Sequence, residues 1–123
     1  MLLEKTMKVI IIEQKKAPYF KDIEIEKFND NMNTYAEAEI GCSFIDRIQV
    51  LPNYELTIYV DDLNLKRDDS ELNFFVKGLN YDLPVKGKAV VSRGKVCLDE
   101  IEYQDVTEQD LEVLNRSIYR PEL

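Results

Sequence analysis

Apolar positions recur along this chain with two periods, one near two and one near three to four, and the switches between them mark out the elements. Met7 to Glu13 is short and β-branched, and its uninterrupted run Val9-Ile10-Ile11-Ile12 suits a buried strand. Lys15-Lys16-Ala17-Pro18 breaks it, and Tyr19 to Ile25 then alternates apolar with charged positions, so the two segments predict a hairpin or adjacent strands. From Ile25 the period lengthens: Ile25, Phe28, Met32, Tyr35 with Ala36, and Ile40 form the stripe of one amphipathic helix, which Gly41 is placed to end.

Phe44 to Leu51 predicts a strand and Pro52-Asn53 a turn. Tyr54, Leu56, Ile58 and Val60 then alternate with Glu55 and Thr57, the period of a half-buried strand. Asp61 to Glu71 reads as a charged loop and Leu72 to Val76 as a short strand. Lys86 to Ser92 and Lys95 to Ile101 flank Arg93-Gly94, which reads as a hairpin turn with glycine at the positive-φ position. Thr107-Glu108-Gln109-Asp110 opens like a capping box, and Leu111, Leu114 and Ile118 make one stripe, so a helix is predicted over Glu108 to Tyr119, stopped by Pro121. Runs of strands with short turns and only two helical patterns predict an α+β class. The expected form is one domain over 1–123, a mainly antiparallel sheet of about five to seven strands with two helices packed on one face, and residues 1–6 as an extension.

Composition narrows what such a domain can do. Of 123 residues, 16 are Lys or Arg and 24 Asp or Glu, a net charge of −8, which argues against direct grip on a nucleic-acid backbone. The chain has no His, which removes imidazole acid–base catalysis, His-ligated zinc and the Ser-His and Cys-His nucleophile pairs. Cys42 and Cys97 form no C-x-x-C motif and sit among apolar residues, so they read as small buried hydrophobes in a reducing compartment, with a disulfide between them as the alternative. No stretch is long and apolar enough to span a membrane, and Met1 to Thr6 lacks the pattern of a secretory signal, so a cytoplasmic protein without membrane contact is expected.

Charge is segregated. Asp99, Glu100, Glu102, Asp105, Glu108, Asp110 and Glu112 lie in a stretch with no Lys or Arg, whereas Lys77, Lys86, Lys88, Arg93 and Lys95 face only Asp82. The bland reading is solvated faces, with acids favoured at the second helix start by its dipole. The functional reading is an acidic surface offered to a basic partner, because complementary potentials steer encounter and select among partners. A second reading places a small ligand or nucleotide between the aromatics Phe74, Phe75 and Tyr81 and the cations Lys86, Lys88 and Arg93, against the commoner role of such aromatics as sheet core. Asp61-Asp62 and Asp68-Asp69 offer carboxylates for a hard cation, but no D-x-D-x-D-G loop occurs and Lys66-Arg67 stands between them, so no metal or cofactor is expected. No phosphate-loop or nucleophile motif is present, and a non-enzymatic role is expected.

Several short segments in order resemble a known family. Met7 to Glu13 with Pro18, Ile40-Gly41-Cys42 before Phe44 to Leu51, Tyr59-Val60-Asp61-Asp62, Leu72-Asn73-Phe74-Phe75, Val85 to Val91 and Val106 to Leu111 resemble successive elements of short uncharacterised proteins carried by phages, plasmids and conjugative elements. The resemblance implies no catalytic residues. It implies a mobile-element accessory protein that inhibits or modulates a host protein by binding, by analogy a nucleic-acid-handling defence nuclease of the restriction or CRISPR kind.

Overall fold

The computed structural model describes residues 6–50, 55–63, 72–78, 80–97 and 100–121. Its strands are β1 (Met7–Ile12), β2 (Tyr19–Ile23), β3 (Ile45–Gln49), β4 (Leu56–Asp61), β5 (Leu72–Val76), β6 (Leu83–Lys86), β7 (Ala89–Cys97), β8 (Glu100–Gln104) and β9 (Ile118–Tyr119); the helices are α1 (Met32–Ile40) and α2 (Glu108–Ser117). The class is α+β and sheet-dominated. One sheet runs β2-β1-β7-β4-β3 with β8 also on β7, a smaller one runs β6-β5-β9, and every pairing is antiparallel.

The run Val9 to Ile12 is apolar throughout because the large sheet is covered on both faces. Met7, Val9 and Ile11, with Tyr59 and Val90 from β4 and β7, pack against Met32, Tyr35 and Ala36 of α1. On the opposite face, Ile10, Ile12, Ile58 and Val91 pack against Phe74, Val76 and Val85 of the small sheet and Leu114 of α2. Each such aliphatic side chain, fully withdrawn from water, contributes roughly 1.5–3 kcal/mol. The helices therefore lie on opposite faces, not together on one as the element order suggested. Three layers result: α1, the large sheet, and the small sheet with α2.

Two further expectations are corrected. The single helix over Ile25 to Ile40 is interrupted: a 3-10 turn covers Ile25–Phe28, Asn29 and Asp30 adopt φ of 56° and 54°, and α1 starts afresh behind Asn31, whose side chain accepts the Thr34 N–H. Asn and Asp tolerate the left-handed region and favour caps, so an apolar stripe of helical period spans a chain break. Gly41 does end α1, at φ 79°. Arg93-Gly94 is not a turn but the middle of β7, with Gly94 opposite Tyr103 of β8, and the chain reverses between Cys97 and Glu100. A Cβ at Gly94 would lie 2.8 Å from Ile101 Cγ2 and 3.4 Å from Tyr103 Cδ1, so the glycine answers to close cross-strand packing.

The second helix matches its predicted start and cap. Thr107 accepts the Asp110 N–H and Asp110 accepts the Thr107 N–H, a closed capping box. It ends earlier than expected, at Ser117, because Ile118 and Tyr119 turn into the β9 ladder on β5. Residues 1–5, and the Pro52-Asn53 turn with the Asp68-Asp69 pair, lie outside the described residues.

Candidate functional site

The acidic stretch from Asp99 to Glu112 becomes β8, a short connection and α2, and the fold treats its carboxylates differently. Asp110 is fully buried: Arg93 donates to it twice, from Nε at 3.0 Å and Nη2 at 2.8 Å, and also reaches Glu55 at 3.2 Å. A buried carboxylate in a bidentate pair serves the core and offers a partner nothing, so Asp110 is withdrawn from the predicted surface. Asp105 accepts the backbone N–H of Lys8 at 2.8 Å, while Val106 donates its own N–H to the Lys8 carbonyl. That clasp closes the place where β1 gives way to β8 along β7, so Asp105 has a structural duty although it is exposed. Glu102 is exposed and stands directly opposite Lys95 in the β7–β8 ladder. Glu108 and Glu112 are exposed on α2. Asp99 lies outside the described residues, and only the backbone of Glu100 is described.

Side-chain alternation puts Glu102 on the face of the large sheet that α2 packs against. Arg93 reaches α2, and Lys95, two residues along β7, projects to the same face with Glu102 opposite it. Glu102 on β8 and Glu108 and Glu112 on α2 are all exposed. Ile101 and Tyr103 alternate to the other face, where Tyr103 packs against the α1 core.

The alternative ligand set is dispersed. Phe74 is completely buried in the core between the sheets, and Phe75 stacks obliquely on Tyr119 with ring centroids 6.3 Å apart. Arg93 is committed to Asp110, and Lys88 is held by Glu13 at 3.2 Å and Glu39 at 3.3 Å. Lys86 is half-buried on β6 and Tyr81 is 75% exposed beyond the other end of the β5–β6 pair. The six residues do not line one pocket. Tyr81 instead borders a cleft of about 330 Å³ whose apolar walls are Ile48, Val50, Val76 and Leu83. The apolar spacing of β3 and β5 carried no signal of it, because the walls come from strands of different sheets.

Sequence reasoning also missed a charge network on the α1 side. Glu39 accepts from Tyr35 Oη at 3.0 Å, from Lys88 and from Lys21, while Lys88 also bridges to Glu13. Burial alone would raise the Glu39 carboxyl, but the hydrogen bonds from Lys21, Tyr35 and Lys88 outweigh it and hold it below the ordinary 4.5. Glu13 is lowered likewise: burial opposes the shift and the Lys88 and Lys16 contacts prevail. Lys88 is raised, since its carboxylate partners outweigh burial, and Tyr35 is raised by burial and by donating to Glu39. Only the i,i+4 spacing of Tyr35 and Glu39 on a helix was visible beforehand.

Asp61 closes β4 with its carboxylate on the Leu63 N–H at 2.9 Å. Among the described residues no group of three His, Cys, Asp or Glu is arranged to hold a metal ion. Cys42 is half-buried rather than buried, its thiol donating to the Phe44 carbonyl at 3.4 Å, and the Cys97 side chain is outside the description. Among the described residues no helix is long and apolar enough to cross a membrane. The chain matches no protein-family model, no curated protein and no solved structure.

Proposed function

We propose that this protein acts by docking an acidic surface onto a basic surface of a partner protein, with Glu102, Glu108 and Glu112 as its charge contacts. The observation that carries the reading is how charge is used inside the fold. Among the described residues, Lys16, Lys21, Lys27, Lys88 and Arg93 pair with Glu13, Glu24, Glu39, Glu55 and Asp110. These pairs remove equal numbers of each sign, so they leave the net charge of −8 intact. An excess of that size creates a field that steers a positively charged partner and excludes acidic ones.

Enzymes that handle nucleic acids present basic channels to bind phosphates, which makes them the partner class that such a surface fits. Inhibition or modulation of a host defence nuclease, and an origin on a mobile element, belong to this same proposal. Its test is a triple reversal, Glu102→Lys, Glu108→Lys and Glu112→Lys, checked for folding by circular dichroism. Capture of basic proteins from a bacterial lysate falls sharply on the proposal, and undiminished capture rejects the surface.

The cleft beside Tyr81 supports a second reading, a small apolar ligand held between Ile48, Val50, Val76 and Leu83, since its volume lies at the lower end of ordinary ligand sites. Thermal stabilisation by a nucleotide and small-molecule panel checks it, because a ligand specific for the native state raises the melting temperature by mass action.

A further inference from the structure

The cleft beside Tyr81 lies where β3 of the large sheet approaches the small sheet. Ile48 is on β3 and Val50 just beyond it, Val76 ends β5 and Leu83 opens β6, so aliphatic walls from three strands enclose about 330 Å³. Every residue that lines it is described, and Lys77 is the only charged one.

Lys77 is fixed by the end of α2. Its backbone N–H donates to the Ser117 carbonyl at 2.9 Å, and its Nζ donates to the Arg116 carbonyl at 3.1 Å. The last carbonyls of a helix carry partial negative charge, so they position an ammonium without neutralising it. Among the described residues no carboxylate forms an ion pair with Lys77. Asp82, the acid closest to it in sequence, turns its carboxylate onto the Gly78 N–H at 3.4 Å. Lys77 is exposed, and two of its three ammonium donors remain for a ligand. Beside it the chain folds back tightly: a Cβ at Gly78 would collide with the Tyr81 carbonyl oxygen, so glycine lets the loop close and keeps Tyr81 at the mouth of the cleft.

The geometry points to a small monocarboxylate with an apolar tail as the ligand of this cleft. The tail lies between Ile48, Val50, Val76 and Leu83, and the carboxylate meets the Lys77 ammonium at the mouth. This inference rests on the reading of the cleft as a ligand site and names the class of ligand. Aliphatic walls favour an apolar tail, and a few placed polar groups fix its orientation. Charge complementarity selects the head: one ammonium balances one negative charge, whereas a dianion would leave charge uncompensated on a protein already at −8.

The probes are octanoate, octanol and octylammonium, which share one tail and differ in the charge of the head. NMR titration of the isotope-labelled wild-type protein follows Ile48, Val50, Val76 and Tyr81. The net charge of −8 by itself favours octylammonium, so preference for the anion reports Lys77 and not the field of the whole molecule. Octanoate is expected to shift these resonances and to bind at least about threefold tighter than octanol, with octylammonium weakest. Lys77→Met keeps an aliphatic side chain and removes the charge, so it abolishes the advantage of octanoate and leaves octanol binding unchanged. The comparison of the three probes on the wild-type protein stands whether or not that variant folds. Octanol or octylammonium binding as tightly as octanoate, or an octanoate advantage that survives Lys77→Met, overturns the carboxylate while leaving the cleft a ligand site. No shift at the cleft with any of the three overturns both.

Discussion

Arg93 on β7 grips the carboxylate of Asp110 on α2 with two hydrogen bonds, of 3.0 and 2.8 Å, and so ties the sheet to a helix whose own cap depends on the same carboxylate. Asp110 is wholly inaccessible to water while Arg93 retains partial exposure and a second acid, Glu55. Removing one partner strands the other. Asp110→Ala is expected to cost about 3–5 kcal/mol, since both a buried pair and a helix cap are lost, and Arg93→Ala is expected to be comparably destabilising. Because both act on one contact, the double variant should be distinctly less destabilised than the two losses added. Urea unfolding of the three variants checks this.

Stability should fall at both ends of the pH scale. Glu13 and Glu39 are held below 4.5 because the Lys16, Lys21, Lys88 and Tyr35 contacts outweigh burial, so the folded state favours their ionised forms. Their contribution is complete above about 4.5 and is lost as pH drops through the folded values. Burial raises Tyr35 above 10.0 and pushes Tyr59 up to about 12, and carboxylate partners raise Lys88 above 10.5. For these groups the fold favours the protonated form, so the contribution is complete below about 10 and lost as pH climbs through the folded values. Thermal melts across pH should show Glu39→Gln flattening the acid limb and Tyr59→Phe the alkaline one.

Gly94 tests whether packing, rather than a turn, explains that residue. Gly94→Ala should destabilise by about 1 kcal/mol, because the new methyl meets the Ile101 side chain and the neighbour must give way. In an Ile101→Ala background the same change should cost little. A large cost in both backgrounds would contradict the packing account, and denaturant midpoints decide it.

Phe74 and Tyr81 separate core from surface. Phe74→Ala should cost roughly 3–5 kcal/mol, as expected for a fully buried aromatic. Tyr81→Ala should leave the melting temperature nearly unchanged. Calorimetry on both variants suffices.

What could be read in advance was local. The two-residue alternation from Leu56 to Val60 and the Thr107 capping box depend on neighbours within a few positions, and both stand in the fold. The interruption at Asn29-Asp30 was hidden because apolar spacing at helical period continued straight through it. Gly94 in a strand and a glycine in a turn look alike until the facing residues, Ile101 and Tyr103, are known. The acidic stretch was legible as a run of charge, yet the burial of Asp110 depends on an arginine 17 positions away on another element. The placement of α1 and α2 on opposite faces was implicit in the doubly apolar Val9 to Ile12 run, which needs cover on both sides.

The most direct measurement is the salt dependence of binding to a partner recovered by affinity capture, for the wild-type chain and for the Glu102, Glu108 and Glu112 reversal to Lys. Docking through these carboxylates predicts that wild-type affinity declines steeply between about 50 and 500 mM salt, since screening shortens the reach of exposed charges, and that the reversed protein binds weakly at every concentration. Equal affinity of the two proteins, with no response to salt, would contradict it.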